Sequence, residues 1–289
     1  MNIIATFSIV AFDPAENAWG IAVASKFPAV GAVVPWARAG AGAVATQSYA
    51  NTTYGPRGLE MMASGISAQE ALDELIKEDD ERALRQAGIV DASGRSATFT
   101  GEDCFEWAGG ITGEHFTVQG NILAGPQVVE AMAQAFQSSS EPFPERLQAA
   151  LLAGDRAGGD RRGRQSAAIF VVKPEGGYGR FNDRWIDYRV DDHEDPVPRL
   201  GEMLKLHRLY FDESAEGDIL AIEGEVLEQL QRILLARGYE IASIGDYDQI
   251  TRKALREFIG NENFEDRTDV ENGQIDAPVY AYLIEKFSS

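Results

Sequence analysis

The sequence predicts an α+β fold of layered sheets and helices, followed by a small helical domain. Three observations support this prediction: grouped short apolar runs typical of strands, amphipathic runs typical of helices between those groups, and an acidic, strand-poor end of the chain. With 289 residues, the chain has room for one large domain, or for a large domain and a small one.

The strands are predicted in groups separated by turns. Residues 6–12 and 19–25 are joined by the turn-forming segment 13–17 and are expected to pair. A hairpin loop at 92–94 is expected to join two further strands. The remaining predicted strands are 42–48, 87–91, 95–99, 115–119, 167–173 and 184–190.

Amphipathic runs with recognisable start and stop signals predict four helices between the strand groups. Ser67 and Glu70 form a capping box at the start of the first helix, and Gly154 ends the third. A proline opens the second helix and the fourth. The four helices are expected to begin near Ser67, Gly125–Pro126, Arg146 and Asp195–Pro196.

The composition changes near residue 211. The acidic segment 211–218 is predicted to link a large domain, 1–210, to a small domain, 219–289. Residues 211–289 hold 18 acidic and 7 basic residues, a net charge of −11. No strand is expected there, and the small domain is predicted to be an all-α bundle of three helices. These helices are expected near 219–236, 249–259 and 277–287, capped by Asp218, Asp248 and Asp276.

Charge and residue types exclude several classes of function. The 46 acidic and 26 basic residues leave a net charge of −20, whereas proteins that bind a phosphate backbone usually carry a basic stripe, so no nucleic-acid partner is expected. The apolar runs are too short or too interrupted to span a bilayer, so no membrane partner is expected. The start of the chain lacks a basic segment typical of secretory signals, and a cytoplasmic location is expected.

No cofactor and no metal site are expected. One cysteine and three well-separated histidines match no zinc-ligand spacing. The acidic run 191–195 could hold a hard cation such as Mg²⁺ or Ca²⁺, or could simply cap the helix that begins at Pro196. Cys104 has acidic neighbours that would raise the pKa of its thiol, so it is not expected to be a nucleophile.

Thr6, at the start of the first predicted strand, is a candidate nucleophile. An N-terminal threonine can use its own α-amino group as the base, because that group titrates near pH ~8 and is partly neutral at working pH. No histidine partner is then needed, which suits a chain with three histidines. The alternative is that Thr6 is only a β-branched strand residue.

Long gapless segments of residues 6–210 resemble an uncharacterised prokaryotic family, domain of unknown function 1028, which is grouped with the N-terminal nucleophile (Ntn) hydrolases. The resemblance implies a four-layer αββα sandwich, the fold of proteasome subunits and several amidohydrolases. It also places Thr6 at the nucleophile position, provided that Met1–Ala5 are removed by cleavage or by a later translation start. The segments are TFSIVAFDP (6–14), GIAVASKFPAVGAVVPWARAGAGAVATQSYANTTYGPRGL (20–59), QAGIVDASG (86–94), VQGNILAGPQVV (118–129) and AGGDRRGRQSAAIFVV (157–172).

Two further residues are candidates for catalysis beside Thr6. Lys26 follows the second strand, and its charge would lower the pKa of the nucleophile and favour the neutral amine. Lys26 could equally be a surface lysine in a loop. Asn121 follows another strand, and its amide could hold an oxyanion or a substrate amide, or could cap the next helix.

Seven polar residues are candidates for substrate binding. Three arginines lie among glycines in a chain that is otherwise acidic, which suits an anionic ligand, although they could also pair with the protein's own carboxylates. Three residues that follow the third strand, Gln47, Ser48 and Asn51, could donate hydrogen bonds to a developing oxyanion or form turns. Asp91 ends a strand where its side chain could reach a cleft. The seven are Gln47, Ser48, Asn51, Asp91, Arg161, Arg162 and Arg164.

Residues 219–287 resemble a small three-helix peptidoglycan-binding domain. The matching segments are LQRILLARGY (230–239), DYDQITRKALREFIG (246–260) and NGQIDAPVYAYLI (272–284). The resemblance implies a cell-wall fragment as a partner. The alternatives are that this domain makes oligomer contacts or covers the cleft of the larger domain.

The sequence as a whole therefore predicts an amidohydrolase with Thr6 as nucleophile. Its substrate would be a small or peptide-like amide with an anionic group. The alternative is a binding or assembly protein that keeps the fold without catalysis. A homo-oligomer is expected in either case.

Overall fold

The first strand, Thr6–Asp13, is buried on both of its sides. Because side chains alternate along a strand, Phe7 and Ile9 face one side and Val10 and Phe12 face the other. Phe7 and Ile9 belong to an apolar cluster with helical residues, whereas Val10 and Phe12 pack with residues of a second sheet. A strand buried in this way requires a layer of structure on each side.

The computed structural model describes residues 6–212 and 215–287, and the chain divides into two compact units, 1–204 and 205–289. The fold is mixed α+β, as predicted. The described strands are β1 (Thr6–Asp13), β2 (Ala18–Ser25), β3 (Pro35–Arg38), β4 (Gly42–Ser48), β5 (Arg85–Asp91), β6 (Ser96–Thr100), β7 (Gly109–Gly113), β8 (Phe116–Asn121), β9 (Ser166–Val172), β10 (Arg184–Val190), β11 (Ile219–Ala221), β12 (Thr268–Asp269) and β13 (Gln274–Asp276). The described α-helices are α1 (Tyr54–Ala63), α2 (Ala68–Lys77), α3 (Gln127–Ser138), α4 (Phe143–Arg156), α5 (Pro196–Phe211), α6 (Gly224–Ala236), α7 (Gln249–Asn261) and α8 (Ala277–Phe287).

The first unit contains two antiparallel sheets. One has six strands in the order β10-β9-β2-β1-β8-β7, and the other has four in the order β3-β4-β5-β6. Apolar side chains of the two sheets pack against each other. The outer face of the six-stranded sheet packs on α3 and α4, and the outer face of the four-stranded sheet packs on α1 and α2. Thr6 thus lies at the beginning of a central strand of the larger sheet.

The predicted strands of the first unit and its four predicted helices are confirmed, with small differences at their ends. The capping box is present, with the Ser67 hydroxyl accepting from the Glu70 N–H and the Glu70 side chain accepting from the Ser67 N–H. The sequence analysis missed α1 and the short strands β3 and β7. All three elements lack the strong sequence signals of a strand or a helix. The strand β3 begins with Pro35, and β7 contains three glycines. At the start of α1, the side chain of Thr53 makes no capping hydrogen bond.

The prediction that the second unit is all-α is wrong. Its three helices are present, but β11, β13 and β12 form a small three-stranded sheet beside them. These strands have only two or three residues each, too few for an alternating pattern. The predicted linker, 211–218, holds the end of α5 and a 3₁₀ turn at Glu216–Asp218, and two of its residues lie outside the described ranges.

The predicted helix caps of the second unit have mixed outcomes. The Asp248 carboxylate accepts from the Thr251 N–H at 2.8 Å, as expected for an N-cap. Asp218 does not cap α6, which begins later, after Glu223. Asp276 is buried and accepts a hydrogen bond from the Arg267 guanidinium, so its carboxylate forms an ion pair.

Candidate active site

Thr6 lies between two strands that present polar groups beside it. Its register partners are Ser25 on β2 and Asn121 on β8. The Thr6 Oγ1 donates to the Ser25 Oγ at 3.3 Å, and Thr6 is 0% exposed. Because Thr6 has the same alternation as Val10, its side chain lies on the face of β1 that meets the four-stranded sheet. The structure therefore brings Asn121 together with Thr6.

A chain of buried polar side chains fills the space between the sheets next to Thr6. We call these residues the interior amide chain, and all are 0% exposed: Ser8, Gln47, Gln86, Gln119 and Asn121. The Gln119 Nε2 donates to the Ser8 Oγ at 2.6 Å, and the Ser8 Oγ donates to the Gln47 Oε1 at 2.6 Å. The Gln47 Nε2 and the Asn121 Nδ2 both donate to the Gln86 Oε1, at 2.8 Å and 2.9 Å. The two sheets are thus connected by side-chain hydrogen bonds at this end.

The interior amide chain ends at an acceptor that has no donor. The Asn121 Oδ1 is buried and has no hydrogen-bond partner among the described residues. Leaving such a group unsatisfied costs about 1–3 kcal/mol, so folded proteins rarely do so without a reason. Asn121 is the direct neighbour of Thr6, and the unsatisfied oxygen therefore belongs to the candidate site.

Two residues with positive φ lie at the ends of strands β4 and β8, which belong to different sheets. Ser48, the last residue of β4, has a φ of 67°, and Ile122, directly after β8, has a φ of 52°. A β-branched residue such as isoleucine rarely adopts this left-handed conformation. Uncommon backbone conformations of this kind cluster at functional sites.

A cavity of about 500 Å³ lies beside Ser25, the hydrogen-bond partner of Thr6. Its wall combines the ends of β1, β2 and β9 with the glycine-rich loop 157–165 and the start of α5. The lining residues are Phe7, Ala24, Ser25, Asp155, Arg156, Gly158, Gly159, Asp160, Gly163, Arg164, Ser166, Glu194, Pro196 and Val197. Its size and position suit a small ligand next to Thr6.

Two of the three predicted substrate-binding arginines are already paired with carboxylates. The buried Asp160 carboxylate accepts from the Arg162 backbone N–H at 2.9 Å and from its Nη2 at 3.0 Å. Arg164 contacts Asp155 and Asp195, each at 2.8 Å. Arg162 and Arg164 therefore shape the loop around the cavity, which is the structural alternative that the sequence left open.

Three other cations near the cavity are also exposed. The Lys26 ammonium donates to the Arg164 carbonyl at 3.2 Å, which places it at the loop and gives it a structural contact there. Arg161 is exposed, and so is Arg156, which the sequence analysis did not select. Neither of these guanidinium groups forms an ion pair within the described part of the chain. Both are therefore available to an anionic ligand.

Two predicted substrate-binding residues have structural contacts elsewhere. Asn51 donates to the Asp79 carboxylate at 2.9 Å, within a buried ion pair between Asp79 and Arg85. Asp91 accepts from the Ala68 N–H at 3.0 Å and from the Arg95 Nε at 2.7 Å, at the end of β5 opposite to the one near Thr6. The structure does not bring Asp91 together with Thr6.

Cys104 and the acidic run do not form a second reactive site. Cys104 is buried, and burial raises the pKa of its thiol, with Asp103 a smaller cause. The acidity of its neighbours, proposed from the sequence, thus contributes less than burial. No group of three or more potential metal ligands occurs in the described ranges.

Sequence reasoning missed Ser8, Ser25, Gln86 and Gln119 as residues of the site. Each occupies a strand position whose side chain lies between the two sheets, where an apolar residue would be expected. Polar residues at these alternate positions of β1, β2, β5 and β8 were the available signal. Gln86 was not found because the predicted strand began at residue 87, whereas β5 begins at Arg85.

The comparisons with known proteins give a family but no activity. The sequence profile of a family of unknown function, DUF1028, matches residues 6–200, and a peptidoglycan-binding-like domain matches residues 210–283. A crystal structure from Silicibacter pomeroyi, described with the same DUF1028 profile, is 31% identical with a TM-score of 0.65, covering 71% of this chain and 89% of its own.

A second solved structure, the ancestral β-subunit Anbu from Yersinia bercovieri, is 10% identical with a TM-score of 0.31. It covers 72% of this chain and 99% of its own, and the likeness is too weak to establish a shared fold. No curated protein matches the chain. No helix in residues 6–212 or 215–287 is long and apolar enough to cross a membrane.

Proposed function

The chain belongs to the family of unknown function DUF1028, and we propose that its first unit is an N-terminal nucleophile hydrolase of small amides. In this proposal the order helices, sheet, sheet, helices is the four-layer αββα sandwich of such enzymes. The observation that carries the proposal is the position of Thr6. It is the first residue of a central strand, its hydroxyl bonds Ser25 at 3.3 Å, and a cavity lies next to Ser25.

The reaction requires cleavage between Ala5 and Thr6. Met1–Ala5 lie outside the described residues, and their removal remains a prediction. Cleavage would place a new α-amino group on Thr6, next to its own hydroxyl. The neutral amine would take the hydroxyl proton while Oγ1 attacks the substrate carbonyl carbon, and the ammonium would then protonate the leaving amine. A water molecule would hydrolyse the resulting ester and restore Thr6.

Two guanidinium groups near the cavity support a substrate with an anionic group, although the Glu194 carboxylate also lines the cavity. Arg156 lines the cavity and Arg161 lies in the adjoining loop, and neither guanidinium is paired with another described residue. Arg162 and Arg164 would act indirectly, by holding the loop in shape through Asp160 and Asp155. Lys26 would support the same loop through its bond to the Arg164 carbonyl.

The decisive experiment is an intact-mass measurement of the protein expressed without an N-terminal tag. Loss of Met1–Ala5 supports the hydrolase, and an intact Met1 in an otherwise folded protein contradicts it. The processed protein is then assayed on a library of small amides. Thr6→Ala is expected to abolish turnover, whereas the matched variant Thr6→Ser keeps a hydroxyl and an amine and should retain part of it.

A binding protein without catalysis is the second candidate, and one observation favours it. Thr6 is 0% exposed, so its hydroxyl is closed to substrate in the conformation described. In that case ligands would bind in the cavity without reacting. Equal ligand affinity of wild-type protein and Thr6→Ala, together with no turnover by either, would select this candidate.

We also propose that the second unit binds a cell-wall fragment. The match to a peptidoglycan-binding-like domain over residues 210–283 supports this, and a cavity of about 500 Å³ lies between Arg256, Glu265 and Asp276 of that unit. The test is cosedimentation of the full chain with purified peptidoglycan. Recovery in the supernatant at all salt concentrations would contradict this role.

A further inference from the structure

The interior amide chain has a definite direction, because backbone carbonyls determine which end of each amide is the nitrogen. The Gln86 Nε2 donates to the Gly120 carbonyl at 2.7 Å and to the Gly109 carbonyl at 3.3 Å. A carbonyl oxygen can only accept, so the NH₂ group of Gln86 must face these two carbonyls. The Gln86 Oε1 must then face the opposite way, toward Gln47 and Asn121.

The orientation of Gln47 is determined in the same way. Its Nε2 lies 3.4 Å from the Thr6 carbonyl and 3.4 Å from the Gln119 carbonyl, and it also donates to the Gln86 Oε1. The hydrogen bonds of Gln86 on β5 and of Gln47 on β4 thus independently identify the Gln86 Oε1 as an acceptor. Asn121 can bond this oxygen only through its nitrogen, at 2.9 Å.

The consequence is that the carbonyl end of the Asn121 amide is turned away from Gln86. This oxygen is the buried acceptor that has no partner among the described residues. Asn121 and Thr6 are register partners on adjacent antiparallel strands, with side chains on the same face. Residues in such a pair have Cβ atoms about 4.5–5.5 Å apart, close enough for their polar groups to meet.

We propose that Gln86 is a positioning residue that holds the Asn121 carbonyl oxygen toward Thr6, so that Asn121 accepts a hydrogen bond from the α-amino group of processed Thr6. The second half of this proposal rests on the proposed function, because it needs Thr6 to be the first residue. It assigns Asn121 an accepting role in place of the oxyanion-donating role that the sequence suggested. Gln86 itself contacts neither nucleophile nor substrate in this scheme.

A hydrogen-bond acceptor beside Thr6 would orient the α-amino group, which the proposed chemistry requires. The α-amino group must direct its lone pair at the Thr6 hydroxyl while it removes the proton. A fixed acceptor for one of its N–H groups restricts rotation of the amine and leaves the lone pair free for the hydroxyl. Orientation of this kind is what residues around a reacting group commonly contribute.

The first test measures the orientation of Asn121 in the full chain and needs no processing. The chain has eight asparagines, so selective ¹⁵N labelling of asparagine side chains gives eight pairs of signals, and Asn121→Asp identifies one pair by its loss. In wild-type protein the Asn121 amide protons should exchange slowly with solvent. In Gln86→Met they should exchange about tenfold faster or more, because a buried hydrogen bond is lost.

Two controls distinguish the positioning of Asn121 by Gln86 from a general loss of stability of the protein. Gln231 of the second unit is also 0% exposed and donates to three oxygens, so Gln231→Met removes a comparable buried amide far along the sequence. It should leave Asn121 exchange unchanged. If Gln86→Met does not fold, Gln86→Asn replaces it in the test. This variant keeps the side-chain amide but draws it back from Asn121 by one methylene. Fast exchange in wild-type protein, or unchanged exchange in a folded Gln86 variant, overturns the proposal.

The second test addresses the accepting role. Asparagine labelled with ¹³C at the side-chain carbonyl is introduced into a full chain in which Ala5→Pro blocks cleavage, with its intact mass showing that Met1 is retained, and into a chain that begins at Thr6. The Asn121 carbonyl signal should shift between the two chains, and Gln86→Met should abolish this shift. An unchanged signal refutes acceptance from the amine. If the signal shifts but no amide is hydrolysed, the proposed function fails and the positioning role of Gln86 stands.

Discussion

Thr6 and Ser25 face each other across β1 and β2, and their hydroxyl oxygens are 3.3 Å apart. The contact links the candidate nucleophile, which does not line the cavity, to a residue that does. A ligand in the cavity would lie beside the hydrogen-bond partner of Thr6. The pair is therefore the connection on which the proposed chemistry depends.

Replacing Ser25 should lower the rate of turnover more than it lowers the stability of the fold. Ser25→Ala removes the hydroxyl that bonds Thr6 Oγ1, and we expect turnover of any amide substrate to fall about tenfold, the equivalent of one hydrogen bond. Ser96→Ala is the matched control, because the Ser96 Oγ donates to the Gly113 carbonyl at 2.9 Å on β6 and β7, away from Thr6. Equal turnover by Ser25→Ala and wild-type protein would refute this role.

Gly88→Ala should destabilise the first unit through Gln119. A Cβ on Gly88 would lie 2.1 Å from the Gln119 Oε1, and Gln119 cannot simply move because it donates to Ser8 at 2.6 Å. We expect a loss of about 1–3 kcal/mol in the free energy of unfolding, measured by urea titration. Gly260→Ala, where nothing lies within 4 Å, should be neutral or stabilising by up to about 1 kcal/mol.

The first unit should lose stability in acid through Asp79. Burial alone would raise the pKa of this carboxyl, but hydrogen bonds from Arg85, Asn51 and Tyr54 hold the pKa well below its ordinary value. A lowered pKa in the folded state means that stability is fully present above the unfolded value, near pH ~4, and is lost as the pH falls below it.

Asp79→Asn checks this assignment. Thermal unfolding at several pH values should show that the variant is less stable than wild-type protein at neutral pH and that the difference narrows below pH ~4. Removing one partner of a buried ion pair costs about 3–5 kcal/mol, and the Asp79 and Arg85 side chains are 9% and 6% exposed. A constant difference across the whole pH range would show that Asp79 is not the group responsible.

Cys104 should report unfolding of the first unit. Burial raises the pKa of its thiol, and the Sγ lies 3.3 Å from the Arg85 carbonyl, so the folded protein should react slowly with a thiol reagent at pH ~8. Because it is the single cysteine of the chain, the reaction has one site. In rising urea, labelling should accelerate along the unfolding curve of the first unit. Rapid labelling of the native protein would contradict the burial of Cys104.

The sequence predicted the elements of the first unit well because its helices and strands carry strong local signals. Ser67 with Glu70 marks a helix start, and the alternation in 6–12 marks a strand with two different faces. The short strands of the second unit escaped prediction because two or three residues show no period. Their pairing depends on residues such as Ile219 and Asp276, which are far apart in the chain.

The site was less predictable than the fold, since its bonds connect residues that are distant in sequence. Asn121 and Gln47 were selected because they lie at strand ends, and both are in the interior amide chain. Asp91 was selected for the same reason, but it lies at the opposite end of its strand. Which end of a strand faces the site depends on how the strands are ordered in the sheets, and local pattern does not contain that order.

The interior amide chain also has a mechanical consequence. Apolar surfaces tolerate small displacements, because dispersion attraction has no preferred direction and one neighbouring atom can replace another. The directional hydrogen bonds between Gln47, Gln86 and Asn121 do not tolerate such displacements. Sliding one sheet over the other would break several of these bonds together. Directional bonds thus fix the mutual alignment of the two sheets at the end where Thr6 begins, whereas the apolar contacts behind it impose no preferred direction.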